Sequence, residues 1–399
     1  MLKCVALSVK ITHPTTKQTE WRSGLIPPEE RENPSFNLIK WGIKEKLIPF
    51  RDEGPRNLSQ FRDNLTQFLT SREQQAELYA QFDVPPIPTW TPLIEPIQIT
   101  GEEIDAMIRD EVRNRANFEE HREPCKALEE AVMHPDTQEW LNNGKILFLG
   151  SQRPLNCIMQ KSEYNLGLRR VLSSLHPSQI YDMFAKTVYN SDDRRYQQRS
   201  AIGRIAEDKV LQNKSALNET AVKIYGIFSI DLTQDIRFIY HSEIDCGPNC
   251  AGNGIEFKTK TFFADEKHKA VNFLESRITY SNKLKEIYCK AYLSRLNTAV
   301  FALLEEQTDP YGPSNFDIKN MRFYDTAMIA STPEEDLGVW TEAEIQHELE
   351  NFGEFLKSLQ FIQATSNLKK KLFEIVGKKF NRGRTSITIS SPTYIRQSN

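Results

Sequence analysis

The chain has 399 residues, of which 39% are hydrophobic and 26% charged, and its formal net charge is -3. This composition is typical of soluble globular proteins, and the length allows one large domain or two to three smaller ones. The nearly balanced charge argues against a protein that coats nucleic acid non-specifically. The sequence has no stretch long and apolar enough to span a membrane and no recognisable signal peptide, so we expect an intracellular protein without a membrane partner.

The elements predicted along the chain alternate between strands and helices after residue 145. Residues 1–140 show little regular pattern apart from three predicted helices, over Leu58–Phe82, after Thr100 and near Pro124–Met133. We expect residues 1–140 as a whole to form an irregular covering segment. The later strands are predicted at Ile146–Leu149, Val222–Ile230, Ile236–Asp245, Ile255–Phe263, Thr298–Leu304, Phe323–Ile329 and Ser386–Ser390. The later helices are predicted at Tyr196–Gln212, Phe273–Ser294 and Thr341–Gln363. This order predicts an α+β (mixed α/β) fold with a mixed central sheet flanked by helices.

Two consecutive predicted strands carry acidic residues in an alternating pattern. Glu243 and Asp245 precede a loop rich in Gly, Pro and Asn, and Glu256 and Lys258 follow it. Residues i and i+2 of a strand project from the same face, so a hairpin of these strands would gather three carboxylates and one ammonium. Carboxylates that close together repel unless a cation neutralises them, and hard divalent cations prefer oxygen ligands.

Such a cluster is typical of sites that cleave phosphodiester or pyrophosphate bonds. A lysine beside the metal can hold a phosphate or a nucleophilic water. Alternating charges also occur on the solvated face of ordinary strands, and that interpretation remains the alternative.

The motifs and their order resemble the DXO-type decapping exoribonuclease family. The family's E-φ-D and E-φ-K-T motifs are similar to Glu243-Ile244-Asp245 and Glu256-Phe257-Lys258-Thr259. Its G-φ-x-φ-E motif resembles Gly203-Arg204-Ile205-Ala206-Glu207, and its arginine after a strand resembles Arg153. The resemblance extends over residues 145–390 and not over residues 1–140.

Three positions depart from the family pattern. Pro154 stands where the family has glycine, Arg204 where it favours an apolar or aromatic residue, and Lys290 where it usually has glutamine. Because of these departures, a non-catalytic relative that binds RNA ends or partner proteins remains an alternative function. A DNA nuclease of the D…E-x-K type is a further alternative, because it uses similar metal chemistry.

The resemblance implies a D-exonuclease-like core within a single domain over residues 1–399, with 145–390 as the catalytic part. It implies a hydrolase dependent on Mg²⁺ or Mn²⁺ that acts on RNA 5′ ends, removing incomplete or non-standard caps, triphosphate or NAD ends. Several members also degrade RNA 5′ to 3′. The implied partners are the RNA 5′ end and a protein such as a 5′–3′ exoribonuclease, in the nucleus or cytoplasm.

The resemblance also assigns roles to individual residues. The metal ligands it implies are Glu207, Asp245, Glu256 and the carbonyl of Phe257, with Glu243 at a second metal or a bound water. The substrate contacts it implies come from Arg153, Lys258 and Lys290. Lys290 would stabilise charge on the scissile phosphate or pair with Glu243, or it would simply face solvent, as a lone lysine on a helix most often does. We expect the carboxyl oxygens of Glu207, Asp245 and Glu256 to converge, about 5 Å apart, within one coordination sphere.

Overall fold

The computed structural model describes a large part of the chain, and all structural statements concern that part. The described residues are 2–13, 16, 18–33, 35–49, 67, 91–118, 126–159, 164–172, 179–187, 194–211, 221–245, 254–266, 281–307, 314–326, 342–365 and 386–394. The helix predicted over Leu58–Phe82 therefore lies outside the described residues, apart from residue 67.

The described strands and helices follow in mixed order. The strands are β1 (Leu2–Thr12), β2 (Thr19–Leu25), β3 (Thr91–Ile99), β4 (Ile146–Ser151), β5 (Tyr164–Leu172), β6 (Ile180–Thr187), β7 (Ala221–Asp231), β8 (Ile236–Ile244), β9 (Glu256–Phe262), β10 (Thr298–Gln307), β11 (Asn315–Asp325) and β12 (Ser386–Tyr394). The helices are α1 (Leu38–Lys44), α2 (Gly101–Phe118), α3 (Lys126–Met133), α4 (Pro135–Asn142), α5 (Arg153–Met159), α6 (Arg194–Leu211), α7 (Ser281–Leu293) and α8 (Glu342–Thr365). None of the described helices combines the length and the apolar character needed to cross a membrane.

The strands form two mixed sheets. The larger has eight strands in the order β12-β5-β6-β4-β8-β7-β1-β2, and the smaller has four in the order β3-β11-β10-β9. In the larger sheet β4 runs parallel to β6 and β8, whereas β7 pairs antiparallel with β8 and β1. In the smaller sheet β9 runs parallel to β10, and β10 runs antiparallel to β11. Both sheets are flanked by helices, which confirms the predicted fold class.

Three apolar cores explain why the sheets and helices hold together. One core joins a face of the eight-stranded sheet to α5, α7 and α8, and another joins the opposite face to α3 and α4. The third combines side chains of β1, β7, α6 and the four-stranded sheet, including Val9, Ile224, Ile205 and Val300. Burial of apolar area contributes roughly 25 cal/mol per Å². The third core therefore fixes α6 and the two sheets relative to each other.

Local sequence signals explain several element boundaries. At the start of α2, the Glu103 carboxylate accepts a hydrogen bond from Thr100 N at 2.8 Å, and Thr100 Oγ1 accepts one from Glu103 N at 3.3 Å. This reciprocal capping satisfies backbone donors that a helix leaves unpaired at its N-terminus. The helix predicted after Thr100 is therefore confirmed, together with its capping residue.

Two expectations about arrangement differ from the structure. Part of the N-terminal region is regular rather than a covering segment, because β1 pairs with both β2 and β7 inside the larger sheet and β3 belongs to the smaller sheet. The predicted hairpin of β8 and β9 is wrong, since β8 lies in the larger sheet and β9 in the smaller. Alternation specified each strand correctly, but not its partner, because pairing depends on contacts distant in sequence.

Candidate active site

The candidate site lies where the end of β8 meets the start of β9. Although these strands do not pair, Asp245 Oδ2 accepts a hydrogen bond from the backbone N–H of Phe257 at 3.0 Å. Both Asp245 and Glu256 are almost completely buried. The contact joins the two sheets. It links the last residue of the Glu243-Ile244-Asp245 motif to the second residue of the Glu256-Phe257-Lys258 motif. The motifs are thus brought together as predicted, by a different geometry.

Two lysine ammonium groups neutralise the Glu256 carboxylate. Lys258 Nζ lies 2.5 Å and Lys290 Nζ 2.8 Å from Glu256 Oε1. Lys290 Nζ also lies 3.7 Å from Asp245 Oδ2, so the ammonium faces both carboxylates. Lys258 Nζ donates to the carbonyl oxygen of Phe257 at 3.2 Å. The proposed carbonyl ligand is therefore already in contact with a lysine of its own strand.

Burial and mutual charge shift the pKa values in this cluster. Desolvation raises the pKa of Glu256, the ammonium groups of Lys258 and Lys290 lower it, and the net effect is a rise. Desolvation acts to lower the pKa of Lys290, but the carboxylates of Asp245 and Glu256 outweigh it and hold that pKa well above its usual value. Lys290 is therefore charged at neutral pH.

Helix α6 brings Glu207 to the same cluster. Desolvation and repulsion by Asp245 and Glu243 raise the pKa of the Glu207 carboxyl to about 8, while Lys258 and Lys290 act against the rise. The close approach of the helix depends on Gly203, where an added Cβ would lie 3.1 Å from Thr259 Oγ1 of β9. The glycine of the G-x-x-x-E motif thus lets the backbone of α6 lie against the strand that carries Lys258.

Glu243 is held differently from the other carboxylates. Its Oε1 atom lies 2.6 Å from Nζ of Lys223 on the neighbouring strand β7. The Lys223 side chain was not recognised in the sequence, because a single lysine on a strand is ordinary and its pairing with Glu243 depends on the register of β7 and β8. Lys290 neither pairs with Glu243 nor simply faces solvent; it contacts Asp245 and Glu256 instead.

A buried polar network holds helix α7, and with it Lys290, against β4 and β8. Gln152 Nε2 donates to the carbonyl oxygen of Lys290 at 2.7 Å and to Ser294 Oγ at 3.1 Å. Ser242 Oγ donates to Gln152 Oε1 at 2.7 Å. Sequence analysis missed Gln152, Ser242 and Ser294, because nothing in a lone Gln or Ser indicates a buried partner. The only signal was the position of Gln152, directly before Arg153.

The remaining predicted positions lie at the edge of this arrangement. Arg153 begins α5 with an exposed side chain, one residue after the buried Gln152. Pro154 occupies the first turn of the same helix, where a missing N–H costs little. Arg204 is exposed on α6. Two of the three departures from the family pattern therefore leave the cluster intact, whereas Lys290 changes it directly.

The donor chemistry of the cluster fits a hard divalent cation. Glu207, Asp245 and Glu256 offer only carboxylate oxygens, and Oε2 of the buried Glu256 has no hydrogen-bond partner among the described residues. In the described ranges no group of three or more His, Cys, Asp or Glu side chains is placed to hold a metal ion. The expected convergence of three carboxylates within one coordination sphere is thus not seen.

Comparison with known proteins gives matches among solved structures. No protein-family model matches the chain, and no curated protein sequence matches it significantly. The structure of K. lactis Dxo1 in complex with manganese matches at 12% identity and a TM-score of 0.42, covering 92% of this chain and 84% of that one. S. pombe Rai1 matches at 15% identity and a TM-score of 0.36, covering 56% and 67%. Candida albicans Rai1 in complex with pU5-Mn2+ matches at 10% identity and a TM-score of 0.34, covering 62% and 71%.

The matched structures belong to the DXO/Rai1 decapping exoribonuclease family. This is the family that the sequence motifs resemble. At these identities and TM-scores the matches carry no conclusion about the chemistry of this chain.

Proposed function

We propose that this protein is a metal-dependent hydrolase that acts on RNA 5′ ends. The observation that supports the proposal is the buried cluster at the junction of the two sheets. There Asp245, directly after β8, lies within electrostatic range of both Glu207 on α6 and Glu256 on β9, and Lys258 lies within range of the same two glutamates. A folded protein gains no stability by gathering carboxylates in a desolvated place, so such clusters mark functional sites.

Each side chain has a role that follows from its position. Glu207, Asp245 and Glu256 would supply oxygen ligands for Mg²⁺ or Mn²⁺. The bound ion supplies Lewis-acid stabilisation of charge on the phosphate oxygens. The Lys258 ammonium lies beside Glu256 and holds a phosphate oxygen or orients the attacking water. Arg153, exposed at the start of α5, contacts the RNA backbone.

The resemblance to the DXO-type family provides the finer part of the proposal. We propose that the substrates of this protein are RNAs with incomplete or non-standard 5′ ends, including triphosphate and NAD ends. After removing such an end, the protein would also degrade the RNA in the 5′ to 3′ direction. The same resemblance suggests a protein partner such as a 5′–3′ exoribonuclease, in the nucleus or cytoplasm.

A second candidate function is recognition of RNA 5′ ends without hydrolysis. The observation that favours it is Lys290, whose ammonium faces the Asp245 and Glu256 carboxylates. An ammonium in that place can bind phosphate oxygens, but unlike a metal ion it does not activate water. The two candidates share the binding surface and differ in turnover.

The test is incubation of the full chain with RNAs that differ only at the 5′ end. Triphosphate, capped, NAD-capped and monophosphate RNAs are each incubated with Mg²⁺ or Mn²⁺, and a single-stranded DNA of the same sequence is included. Products are identified by mass, and binding is followed separately by fluorescence anisotropy. We expect release of pyrophosphate, a cap fragment or mononucleotides from RNA and not from DNA.

Asp245→Asn provides the matched loss-of-charge variant. Asn keeps an oxygen that can accept the Phe257 N–H, so folding is retained while turnover falls by at least about 100-fold. Asp235→Asn, at the exposed other end of β8, is the control and retains turnover. Binding without turnover by the unsubstituted chain supports the second candidate, and hydrolysis unaffected by Asp245→Asn refutes this location of the site.

A further inference from the structure

Lys290 occupies the position that a cation would take between two of the candidate metal ligands. Its ammonium nitrogen lies 2.8 Å from Glu256 Oε1 and 3.7 Å from Asp245 Oδ2. Both carboxylates are almost fully buried, whereas the Lys290 side chain remains 23% exposed. The ammonium therefore meets the carboxylates at the end of a flexible four-carbon stem that is partly exposed.

A divalent ion and this ammonium cannot share the same oxygen at low cost. A metal ligated by Glu256 Oε1 at its usual distance would lie within about 5 Å of the Lys290 nitrogen. Like charges at that separation repel strongly in a desolvated environment. A metal shared by Asp245 and Glu256 can bind only if Lys290, the ammonium that faces both carboxylates, leaves them, and its partly exposed stem gives it a direction in which to move.

The backbone of Lys290 does not share this freedom. Its carbonyl oxygen accepts hydrogen bonds from Gln152 Nε2 at 2.7 Å and from Ser294 Oγ at 2.9 Å. The end of α7 is thus fixed, and any exchange between ammonium and metal must come from rotation of the side chain alone. This anchoring keeps the ammonium within reach of the carboxylates after each displacement.

We infer that Lys290 is a built-in cation that competes with the divalent metal for Asp245 and Glu256. The inference rests on the proposed function, because it takes these carboxylates as metal ligands. Lys290 would thus regulate metal binding. Without RNA its ammonium is the counter-ion of Asp245 and Glu256, and a metal can bind there only after it displaces this ammonium. A phosphate at the RNA 5′ end offers the displaced ammonium an anionic partner, so RNA and metal bind with positive cooperativity.

The test measures Mn²⁺ binding to the full chain without RNA, from the electron paramagnetic resonance signal of free Mn²⁺. Lys290→Gln removes the competing charge and keeps a polar side chain, and we expect its Mn²⁺ dissociation constant to be at least about tenfold lower than that of the unsubstituted chain. Lys290→Arg retains the charge, and its dissociation constant should remain within about threefold of the unsubstituted value. Lys357→Gln removes one exposed ammonium that pairs with Asp235 and controls for net charge.

A measurement on the unsubstituted chain guards against a variant that does not fold. Saturating Mn²⁺ should release the Lys290 amine, so its acylation rate, followed by peptide mass mapping, should rise severalfold while that of Lys357 stays constant. Equal Mn²⁺ affinities of the Gln variant and the unsubstituted chain overturn the inference. So does an acylation rate of Lys290 that Mn²⁺ does not change.

These outcomes are independent of RNA hydrolysis. Tighter Mn²⁺ binding by Lys290→Gln without turnover of any RNA by the unsubstituted chain supports the inference and contradicts hydrolysis as the function. Hydrolysis by the unsubstituted chain with unchanged Mn²⁺ affinity in the Gln variant supports the function and overturns the inference.

Discussion

Replacing Gln152 by leucine should destabilise the protein by about 2 kcal/mol, because the side-chain amide of the buried Gln152 makes three hydrogen bonds. They are two donated bonds, to the Lys290 carbonyl and to Ser294 Oγ, and one accepted from Ser242 Oγ. A buried hydrogen bond contributes on average about 1 kcal/mol net. Their full sum is not expected, since the remaining groups can still satisfy one another. Ser242 Oγ lies 2.7 Å from Ser294 Oγ, which in turn lies 2.9 Å from the Lys290 carbonyl oxygen.

A second substitution at the same position separates packing from hydrogen bonding. Gln152→Glu keeps the shape but places a carboxylate oxygen against the Lys290 carbonyl, so the loss should exceed about 3 kcal/mol at pH 7. Burial raises the pKa of the introduced carboxyl in the folded state above its unfolded value. Its destabilising effect therefore grows as pH rises through the folded pKa and shrinks at acid pH, where the neutral carboxyl can donate.

Urea denaturation followed by tryptophan fluorescence gives the free energy of unfolding for both variants. A loss of about 2 kcal/mol corresponds to a roughly 30-fold change in the unfolding equilibrium constant, well within the range of the assay. Gln346→Leu is the matched control, because that amide is exposed and its described hydrogen bonds, to Glu342 and Tyr292, do not belong to the Gln152 network. A change below about 0.5 kcal/mol in Gln152→Leu, no larger than in the control, would refute a stabilising role for the network.

Three further substitutions or treatments have defined outcomes. Tyr240→Phe removes the buried bond from Tyr240 Oη to the Leu293 carbonyl oxygen, 2.7 Å long, and should lower the free energy of unfolding by about 1–2 kcal/mol in the same urea assay; no change would show that the bond contributes nothing net. Gly150→Ala places a Cβ 2.2 Å from the Met183 carbonyl oxygen in the neighbouring strand. Thermal denaturation should therefore show that the free energy of unfolding falls by more than about 2 kcal/mol, and an unchanged value would show that β4 and β6 move apart at little cost. Burial raises the pKa of the Cys4 thiol to about 12, so iodoacetamide at pH 8 should not modify it until urea unfolds the chain; labelling at the rate of a free thiol would contradict its burial.

Local patterns in the sequence correctly specified most of the regular elements that the structure describes. The alternating residues of β8 and the apolar periodicity of α6 record which side chains face a core, and that record is local in the chain. The acidic motifs were recognisable for the same reason. Glu243, Asp245, Glu256 and Lys258 occupy adjoining positions of short segments, and the resemblance to the decapping family rests on their order.

The tertiary structure alone decided which groups meet. It separated β8 and β9 into different sheets, joined their ends through Asp245 and the Phe257 N–H, and paired Glu243 with Lys223. It also turned Lys290 from an unusual residue on a helix into the ammonium that faces Asp245 and Glu256.

The physical reason is the same in each case. Side-chain periodicity is a property of a few consecutive residues, whereas the partner of a strand or a charge is chosen by burial and electrostatics among segments far apart in sequence. A buried carboxylate must find a cation from whichever segment the fold brings near. In this protein the sequence alone identified the carboxylates of the candidate site. The tertiary structure decided which lysines are their counter-ions.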